Sequence, residues 1–234
     1  LTDQKAIIAA AQAALTEKED ALNQTQTTLA DQAAKLNAAM QLLDAQQIAM
    51  DDQQKKLEDL IGVRTQIIRD LAAAMTSNNL KASVDANTGD IMLESTVFFN
   101  SGSDTIKQEG SDFLNSFIPV YLSVLLSDQY VEYLGEIVIE GHTDTVGSYL
   151  FNLELSQKRA LSVARFIYEM PQLTTSQVSL LQNILTAKGR SYSDLVYRAD
   201  GSVDMDASRR VEFKFRLKDS EMIDEIRDIL SQDD

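Results

Sequence analysis

The sequence predicts an α+β domain that is preceded by a long N-terminal α-helix forming a coiled coil. Two observations lead to this fold class. The first 75 residues contain no proline and no aromatic residue, and apolar residues recur in them at seven-residue intervals from Leu1 to Leu57, a series that Arg64 breaks and Leu71 resumes. After residue 79, short alternating patterns typical of strands are interspersed with amphipathic helical patterns. Such mixing within one small unit favours a mixed sheet that helices cover on one face.

The composition excludes several classes of function. The chain has no cysteine, which excludes disulfides and thiolate sites, and its one histidine cannot by itself form a multi-histidine metal centre. Its formal charge of −15 argues against a duplex nucleic-acid partner. We therefore expect no nucleic acid, no metal and no cofactor.

The sequence contains no candidate for a membrane-spanning segment. No stretch of it approaches the ~20 consecutive apolar residues that a transmembrane helix needs. The chain begins at Leu1 and not at methionine, so we expect it to be a fragment from which an upstream membrane segment is missing.

Residues 1–76 are expected to form one helix of roughly 110 Å, at ~1.5 Å per residue. The heptad series consists of Leu1, Ile8, Leu15, Leu22, Leu29, Leu36, Leu43, Met50 and Leu57. This period predicts a left-handed coiled coil that serves as a stalk and makes a homodimer. The second seam is mostly alanine and glutamine, so we expect weak association, with the best packing near Leu60 and Ile61. The alternative is a surface helix folded back on the domain.

Residues 77–234 are expected to form the folded domain. Its first predicted elements are a hairpin around 87–90, a helix over 109–126 that is kinked or restarted at Pro119, and a strand over 135–140. Helices over 150–169 and from about 174 to 185 follow, and then an edge segment at 187–190. The last part consists of an acidic, loop-like insertion over 192–208, a strand over 211–217 and a terminal acidic helix over 219–230.

The strand over 135–140 leads into the turn 141–147, which is rich in small and polar residues, and a helical pattern follows. This order brings Asp144 and Arg159 to the same end of a strand and a helix. Asn152, Leu155 and Arg159 are spaced i, i+3 and i+7, so they share one helix face. From the residues alone, Asp144 could equally be a turn residue that bonds local amides, and Arg159 could be a surface residue or form a structural ion pair with Asp144.

Three landmarks of the sequence resemble the C-terminal domain of the OmpA/MotB family, which includes the peptidoglycan-associated lipoproteins. They are the segment 97–103, the motif formed by 141–144 with Gly147, Asn152, Leu155, Ser156, Arg159 and Ala160, and the segment 208–212. The resemblance covers about residues 92–217. Ser208 stands where the family usually has asparagine. The coiled coil, the insertion at 191–207 and the terminal helix depart from the pattern.

The resemblance implies noncatalytic binding of peptidoglycan through the diaminopimelate of its stem peptide. A zwitterion needs an anion and a planar cation that face each other. By analogy with the family, Asp144 would take the ammonium group and Arg159 the carboxylate. The other expected ligand-binding residues are Asn100, Thr143, Asn152, Leu155 and Arg209. Strand parity with Val211 and Phe213 places Arg209 towards the helix-covered face and Arg210 away from it.

The resemblance also implies an extracytoplasmic location in the cell envelope, with an anchor in the cytoplasmic membrane that this chain lacks. A MotB-like arrangement would add a MotA-like ion-channel subunit as a partner of that anchor, and the chain would then belong to a stator.

Two other functions remain open at this stage. One is a coiled-coil scaffold whose OmpA-like domain binds a protein or another ligand. The other is an enzyme acting on the wall, suggested by His142 beside Asp144. We do not expect an enzyme, because a hydrolase triad needs a serine nucleophile and the chain has no Gly-x-Ser-x-Gly elbow. We expect His142 to bond locally and to support the turn.

Overall fold

A computed structural model describes residues 2–218 of the chain. The chain divides into two compact units, Leu1–Lys56 and Leu57–Asp234. The helix α1 spans Thr2–Ser77, so it supplies the first unit and the beginning of the second. The terminal acidic helix expected over 219–230 lies outside the described residues.

The first unit exposes its apolar heptad positions. From Ile8 to Met50, the seven large side chains of the series are each between 57% and 66% exposed. Single leucines are often exposed on protein surfaces, but a regular series of them on one helix is unusual. The described part of this unit therefore has no core of its own.

The second unit contains the longer helices and the strands in the predicted order, with the two short helices α2 and α6 in addition. After α1 come β1 (Ser83–Val84), β2 (Ile91–Glu94), α2 (Ser95–Phe98), α3 (Gln108–Leu125), β3 (Leu134–Gly141), α4 (Tyr149–Tyr168), α5 (Thr175–Ile184), β4 (Leu185–Gly189), α6 (Met205–Ser208) and β5 (Arg210–Leu217). Thr174 and Gln177 form a capping box that starts α5, as the sequence pattern suggests. The fold class predicted from the sequence is confirmed.

The five strands form one mixed sheet in the order β1-β2-β5-β3-β4. β5 lies between β2 and β3 and pairs antiparallel with both, whereas β4 at the edge runs parallel to β3. A parallel neighbour needs a crossover connection, and α4 and α5 supply it. The carboxyl end of β3 and the start of β5 therefore lie side by side, with Gly141 opposite Val211.

Helices pack on the apolar face of the sheet. The alternate residues Val211, Phe213 and Phe215 of β5 are buried in this core, whereas Glu212 and Lys214 belong to the other face. The Phe213 ring meets that of Phe117 in α3 edge to face, with 5.0 Å between the ring centroids. Aromatic pairs in this arrangement add free energy of stabilisation to that which comes from burying their apolar area.

The C-terminal end of α1 is part of the same core. Ile67, Leu71 and Met75 are almost fully buried in it. The phenol of Tyr130 also donates a hydrogen bond of 2.5 Å to Oδ2 of Asp70. The richer apolar stripe near the end of the helix thus packs against the domain.

The structure refines two local expectations. Of the two outcomes expected at Pro119, it excludes a restart, because α3 continues through this residue, while a kink stays a prediction. Asn115, whose carbonyl would accept the missing backbone bond, lies on the exposed side of the helix, where water can replace the lost donor. The insertion expected to be loop-like over 192–208 contains the short helix α6 and an isolated bridge between Tyr197 and Val203.

Candidate functional site

The turn after β3 is held by backbone hydrogen bonds to neighbouring segments. His142 donates its N–H to the carbonyl of Arg210, and Thr143 donates to that of Ser191, each over 2.9 Å. Gly147 adopts a φ of 99°, a backbone conformation that residues other than glycine rarely adopt. Ser148 then caps α4 by accepting a hydrogen bond from the N–H of Phe151. The turn therefore presents its side chains in a fixed geometry.

Asp144 and Asn152 shape the inside of this turn. Oδ1 of Asp144 accepts a hydrogen bond of 2.9 Å from the N–H of Val146. Nδ2 of Asn152, at the start of α4, donates to the carbonyl of Val146 over 2.9 Å. Asp144 thus makes the local bond expected of a turn residue, and Asn152, which is buried, ties the turn to the helix.

The residues predicted to bind a ligand surround one cavity of about 610 Å³. Asn100, Thr143, Asp144, Asn152, Leu155, Arg159 and Arg209 all line it. Asn100 comes from the loop after α2, Arg209 from the junction between α6 and β5, and the others from the turn and α4. The structure therefore brings all of these predicted residues together, from segments far apart in the chain.

Arg209 pairs with Asp144 across the cavity wall. Its Nη1 lies 2.5 Å from Oδ2 of Asp144, and its Nη2 donates to Oδ1 of Asp206. Asp206 belongs to α6 in the acidic insertion and is largely exposed. One guanidinium is therefore shared between two carboxylates.

Arg159 is fixed by backbone carbonyls. Its Nε donates to the carbonyl of Ser103 over 2.9 Å, and its Nη2 donates to that of Asn100 over 3.2 Å. The guanidinium also lies over the ring of Phe99, 5.2 Å from the centroid. Burial lowers the pKa of Arg159, and the nearby charge of Asp144 partly offsets this effect. The partner of Asp144 in a direct ion pair is thus Arg209, while Arg159 is a buried cation aimed at the same cavity.

Thr143 offers a further polar group. Its hydroxyl is buried and makes no hydrogen bond within the described part of the chain. A buried hydroxyl without a partner costs free energy, so such groups are often completed by water or a ligand. Because Thr143 lines the cavity, this hydroxyl is available there.

Apolar side chains form the rest of the wall, and sequence reasoning missed most of them. Phe99, Val146 and Phe151 line the cavity together with Leu155. Val146 is 68% exposed and Phe151 is 54% exposed, so neither belongs to the core. Their position directly beside the polar turn was a signal that could have identified them.

The side chain of His142 does not support the turn, which corrects our expectation, although its backbone N–H does. Its ring is fully buried, with Nε2 3.3 Å from Oε2 of Glu212 and 3.7 Å from Oε2 of Glu140. These distances allow ion pairing, although neither ring nitrogen makes a hydrogen bond of ordinary geometry. Because side chains alternate along β3 and β5, His142 joins a polar cluster on the sheet face opposite the core.

Lysine and arginine side chains already neutralise this cluster. Nζ of Lys214 lies 2.6 Å from Oε2 of Glu212 and 2.8 Å from Oε2 of Glu140. Nε of Arg210 lies 2.5 Å from Oε1 of Glu212. The ligand atoms of Glu140, His142 and Glu212 are close enough to hold a metal ion. However, such an ion would have to displace the ammonium group of Lys214, so the donor set does not favour one.

The same contacts shift the pKa values of the cluster. The His142 ring, followed by Lys214, lowers the pKa of Glu140 to about 2 against the opposing effect of burial. Burial would raise the pKa of Glu212, but His142, Lys214 and Arg210 hold it well below its ordinary value. Burial would lower the pKa of His142, and the two carboxylates more than offset that effect and raise it.

A mixed sheet with helices on one face and a charged cavity at the end of its central strands is the architecture of an OmpA-like domain. Residues 98–198 match the model of the OmpA family, so this part of the chain is an OmpA-family domain. The long α1 precedes that domain, and the resemblance found in the sequence is confirmed.

Known proteins share part of their sequence with the chain. The Zorya protein ZorB of the Escherichia coli Crooks strain is 32% identical over 154 residues, which cover 62% of this chain and 64% of that protein. Outer membrane protein A of Shimwellia blattae is 30% identical over 107 residues, covering 46% of this chain and 42% of that protein. The chain thus matches less than two thirds of the length of either relative.

A solved structure of a MotB-like protein from Desulfovibrio vulgaris superposes with a TM-score of 0.52. It is 22% identical and covers 69% of this chain and 96% of that one, a likeness that concerns the fold alone. None of the helices within residues 2–218 is long and apolar enough to cross a membrane.

Proposed function

We propose that this chain binds cell-wall peptidoglycan without catalysis and anchors a membrane-tethered protein to the wall. The observation that carries the proposal is the set of charges around the cavity, where Asp144, paired with Arg209, shares the wall with the buried cation Arg159. The ligand is the zwitterionic end of a diaminopimelate-type stem peptide. Asp144 takes its ammonium group and Arg159 its carboxylate.

The geometry around Arg159 supports this assignment. Two backbone carbonyls and the Phe99 ring hold its guanidinium before any ligand arrives. A cation fixed in this way loses little side-chain entropy on binding, and a charge-assisted hydrogen bond to a carboxylate is stronger than a neutral one. Preorganisation therefore favours recognition of a small anionic group at this position.

The apolar wall supports a ligand with an aliphatic arm. Phe151, Val146 and Leu155 lie beside the charged groups in the same cavity. Diaminopimelate carries methylene groups between its two amino-acid ends, and these would pack against that wall. A ligand pocket with a few placed polar groups and an apolar lining has the usual composition of a small-molecule site.

The surroundings of the protein follow from the same proposal. The OmpA-family domain, together with relatives named outer membrane protein A and MotB-like protein, supports an extracytoplasmic location in the cell envelope. We assign the anchor to a segment in the cytoplasmic membrane, outside the described residues. A MotA-like channel subunit is the proposed partner of that segment, which would make the chain a MotB-like stator subunit.

The exposed heptad series of α1 supports a homodimer. Leucine side chains on one helix stripe, more than half exposed, can be buried by the same stripe of a second copy. The alternative function is a coiled-coil scaffold whose OmpA-like domain binds a protein or another ligand.

Binding to purified sacculi and to soluble muropeptides tests the proposal. We expect the protein to cosediment with sacculi and to bind a diaminopimelate-containing muropeptide in calorimetry. Asp144→Ala and Arg159→Ala should each weaken muropeptide affinity by at least ~10-fold, about 1.4 kcal/mol. Asp144→Asn and Arg159→Lys are the isosteric and charge-conserving counterparts, and circular dichroism establishes that each variant folds.

Glu154→Gln is the matched control, because Glu154 is an exposed acid on α4 paired only with Lys158 among its described contacts. Full affinity in both alanine variants would refute the site assignment. If sacculi fail to retain the protein, the scaffold function is the correct one. Release of muropeptides from sacculi would show that the protein is an enzyme.

A further inference from the structure

Arg209 stands between two carboxylates that belong to different parts of the molecule. Nη1 contacts Asp144 in the turn after β3, and Nη2 contacts Asp206 in α6. Asp206 lies in the acidic insertion, outside residues 98–198 that match the OmpA family. It does not itself line the cavity. Its contact with a residue that lines the cavity is the one it makes with Arg209.

An arginine beside a single carboxylate tends to bind both of its oxygens with a pair of parallel hydrogen bonds. Asp206 competes with Asp144 for this arrangement, because it accepts a hydrogen bond from the second terminal nitrogen of the guanidinium. Asp144 then gives only Oδ2 to Arg209, while its Oδ1 accepts the N–H of Val146. Each oxygen of Asp144 keeps acceptor capacity for a further donor.

We propose that Asp206 is a positioning residue. By binding one terminal nitrogen of the Arg209 guanidinium, it limits the contact of Arg209 with Asp144 and so keeps Asp144 able to accept an ammonium group. The inference rests on the proposed function, in which Asp144 takes the ammonium of a zwitterion. Without Asp206, Arg209 turns fully onto Asp144 and competes with that ammonium. Asp206 therefore determines how strongly the cavity prefers a zwitterion over a plain carboxylate.

Two probes isolate this preference. One is a muropeptide with a free amine on its diaminopimelate, and the other is the same muropeptide with that amine acetylated. The ratio of their affinities measures what the ammonium group contributes. We expect Asp206→Asn to lower this ratio by roughly 10-fold relative to the unchanged protein, while affinity for the acetylated probe does not fall.

Three further variants separate positioning from general charge or stability. Asp206→Glu restores a carboxylate and should recover most of the ratio. Asp104→Asn is the control for charge alone. It removes one negative charge near Arg159, but Asp104 makes no ion pair with Arg209 among the described contacts, so the ratio of the two probe affinities should stay unchanged. In an Arg209→Ala background, Asp206→Asn should have no additional effect, because the residue through which it acts is gone.

An unchanged ratio in Asp206→Asn would overturn the inference, and so would an equal loss in Asp104→Asn. If the unchanged protein binds neither probe, the proposed function fails, and a measurement without ligand then tests the shared guanidinium on which the inference depends. The nitrogen NMR signals of the Arg209 guanidinium should then shift in Asp206→Asn and return in Asp206→Glu. Signals that do not respond to Asp206 would refute the shared guanidinium.

Discussion

Gly141 at the end of β3 lies directly against the backbone of Ser156 in α4. A Cβ atom on Gly141 would overlap the carbonyl oxygen of Ser156, far inside van der Waals contact. Gly189, its partner in β4, is equally close to the backbone of Gln157. These two glycines let α4 approach the sheet at the point where the cavity is formed.

The substitution Gly141→Ala should therefore destabilise the domain. Neither the strand nor the helix backbone can move away cheaply, so we expect a loss of about 3 kcal/mol, the upper end of the usual cost of overpacking. Gly62→Ala is the control, since no atom lies near its Cβ position in α1. It should raise helix stability by up to ~1 kcal/mol. Denaturant unfolding measures both, and equal stabilities would contradict the close packing.

The end of α1 should be needed for the stability of the domain. Leu71 is fully buried in the core, so Leu71→Ala should cost about 2–5 kcal/mol. Leu43→Ala, at an exposed position in the first unit, should leave the unfolding of the domain nearly unchanged. The chain has no tryptophan and all 7 tyrosines follow residue 120, so tyrosine fluorescence reports on the domain selectively. Comparable losses in the two variants would exclude a special role for the C-terminal turns.

Because of the cluster around His142, the free energy of unfolding should decrease both when the pH is raised and when it is lowered. Folding raises the pKa of His142 above 6.5, so its contribution is complete below that pH and disappears as pH rises through the folded value. Folding lowers the pKa of Glu140 from 4.5 to about 2, so its contribution is present above pH 4.5 and disappears as pH falls towards 2. We expect the cluster to stabilise the domain most between about pH 4.5 and 6.5.

Because the chain has one histidine, an NMR titration of its ring measures this pKa without ambiguity. Glu212→Gln removes a carboxylate 3.3 Å from Nε2 and should lower the pKa of His142. The exposed substitution Glu154→Gln should leave it unchanged. The same pKa of His142 in both variants would show that Glu212 does not stabilise the protonated form of the ring.

The proposed dimer should depend on the leucine stripe of α1. Leu22→Glu together with Leu29→Glu places charges on that stripe and should weaken dimerisation by at least ~10-fold, since each buried leucine contributes about 1.5–3 kcal/mol. Gln24→Glu together with Ala34→Glu adds the same charges away from the stripe and should leave the dimer intact. Sedimentation equilibrium measures the mass of each. A dimer that survives the leucine changes would assign self-association to another surface.

The features predicted well from the sequence are those that depend on local pattern. The heptad series predicts α1, and the alternation of Val211, Phe213 and Phe215 predicts both the strand and its buried face. The turn around Asp144 and the helix phase of Asn152 and Arg159 also follow from spacing alone.

The less accurate predictions concern partners that are distant in sequence. The sequence places His142 beside Asp144, but strand pairing decides that its ring meets Glu212, 70 residues later. The same holds for Arg159, whose partners are carbonyls of Asn100 and Ser103. Backbone carbonyls leave no trace in side-chain patterns, so no reading of residue types could have found them.

The way α1 enters the core has a mechanical consequence. Ile67, Leu71 and Met75 fix the chain to the domain before it reaches β1, whose ladder with β2 contains only two residue pairs. Tension applied at residue 57 and resisted at the cavity would bypass that short ladder. It would be transmitted through the core to β3 and β5, which share seven residue pairs and end beside Asp144 and Arg209. The shortest ladder of the sheet would thus carry little of such a tension.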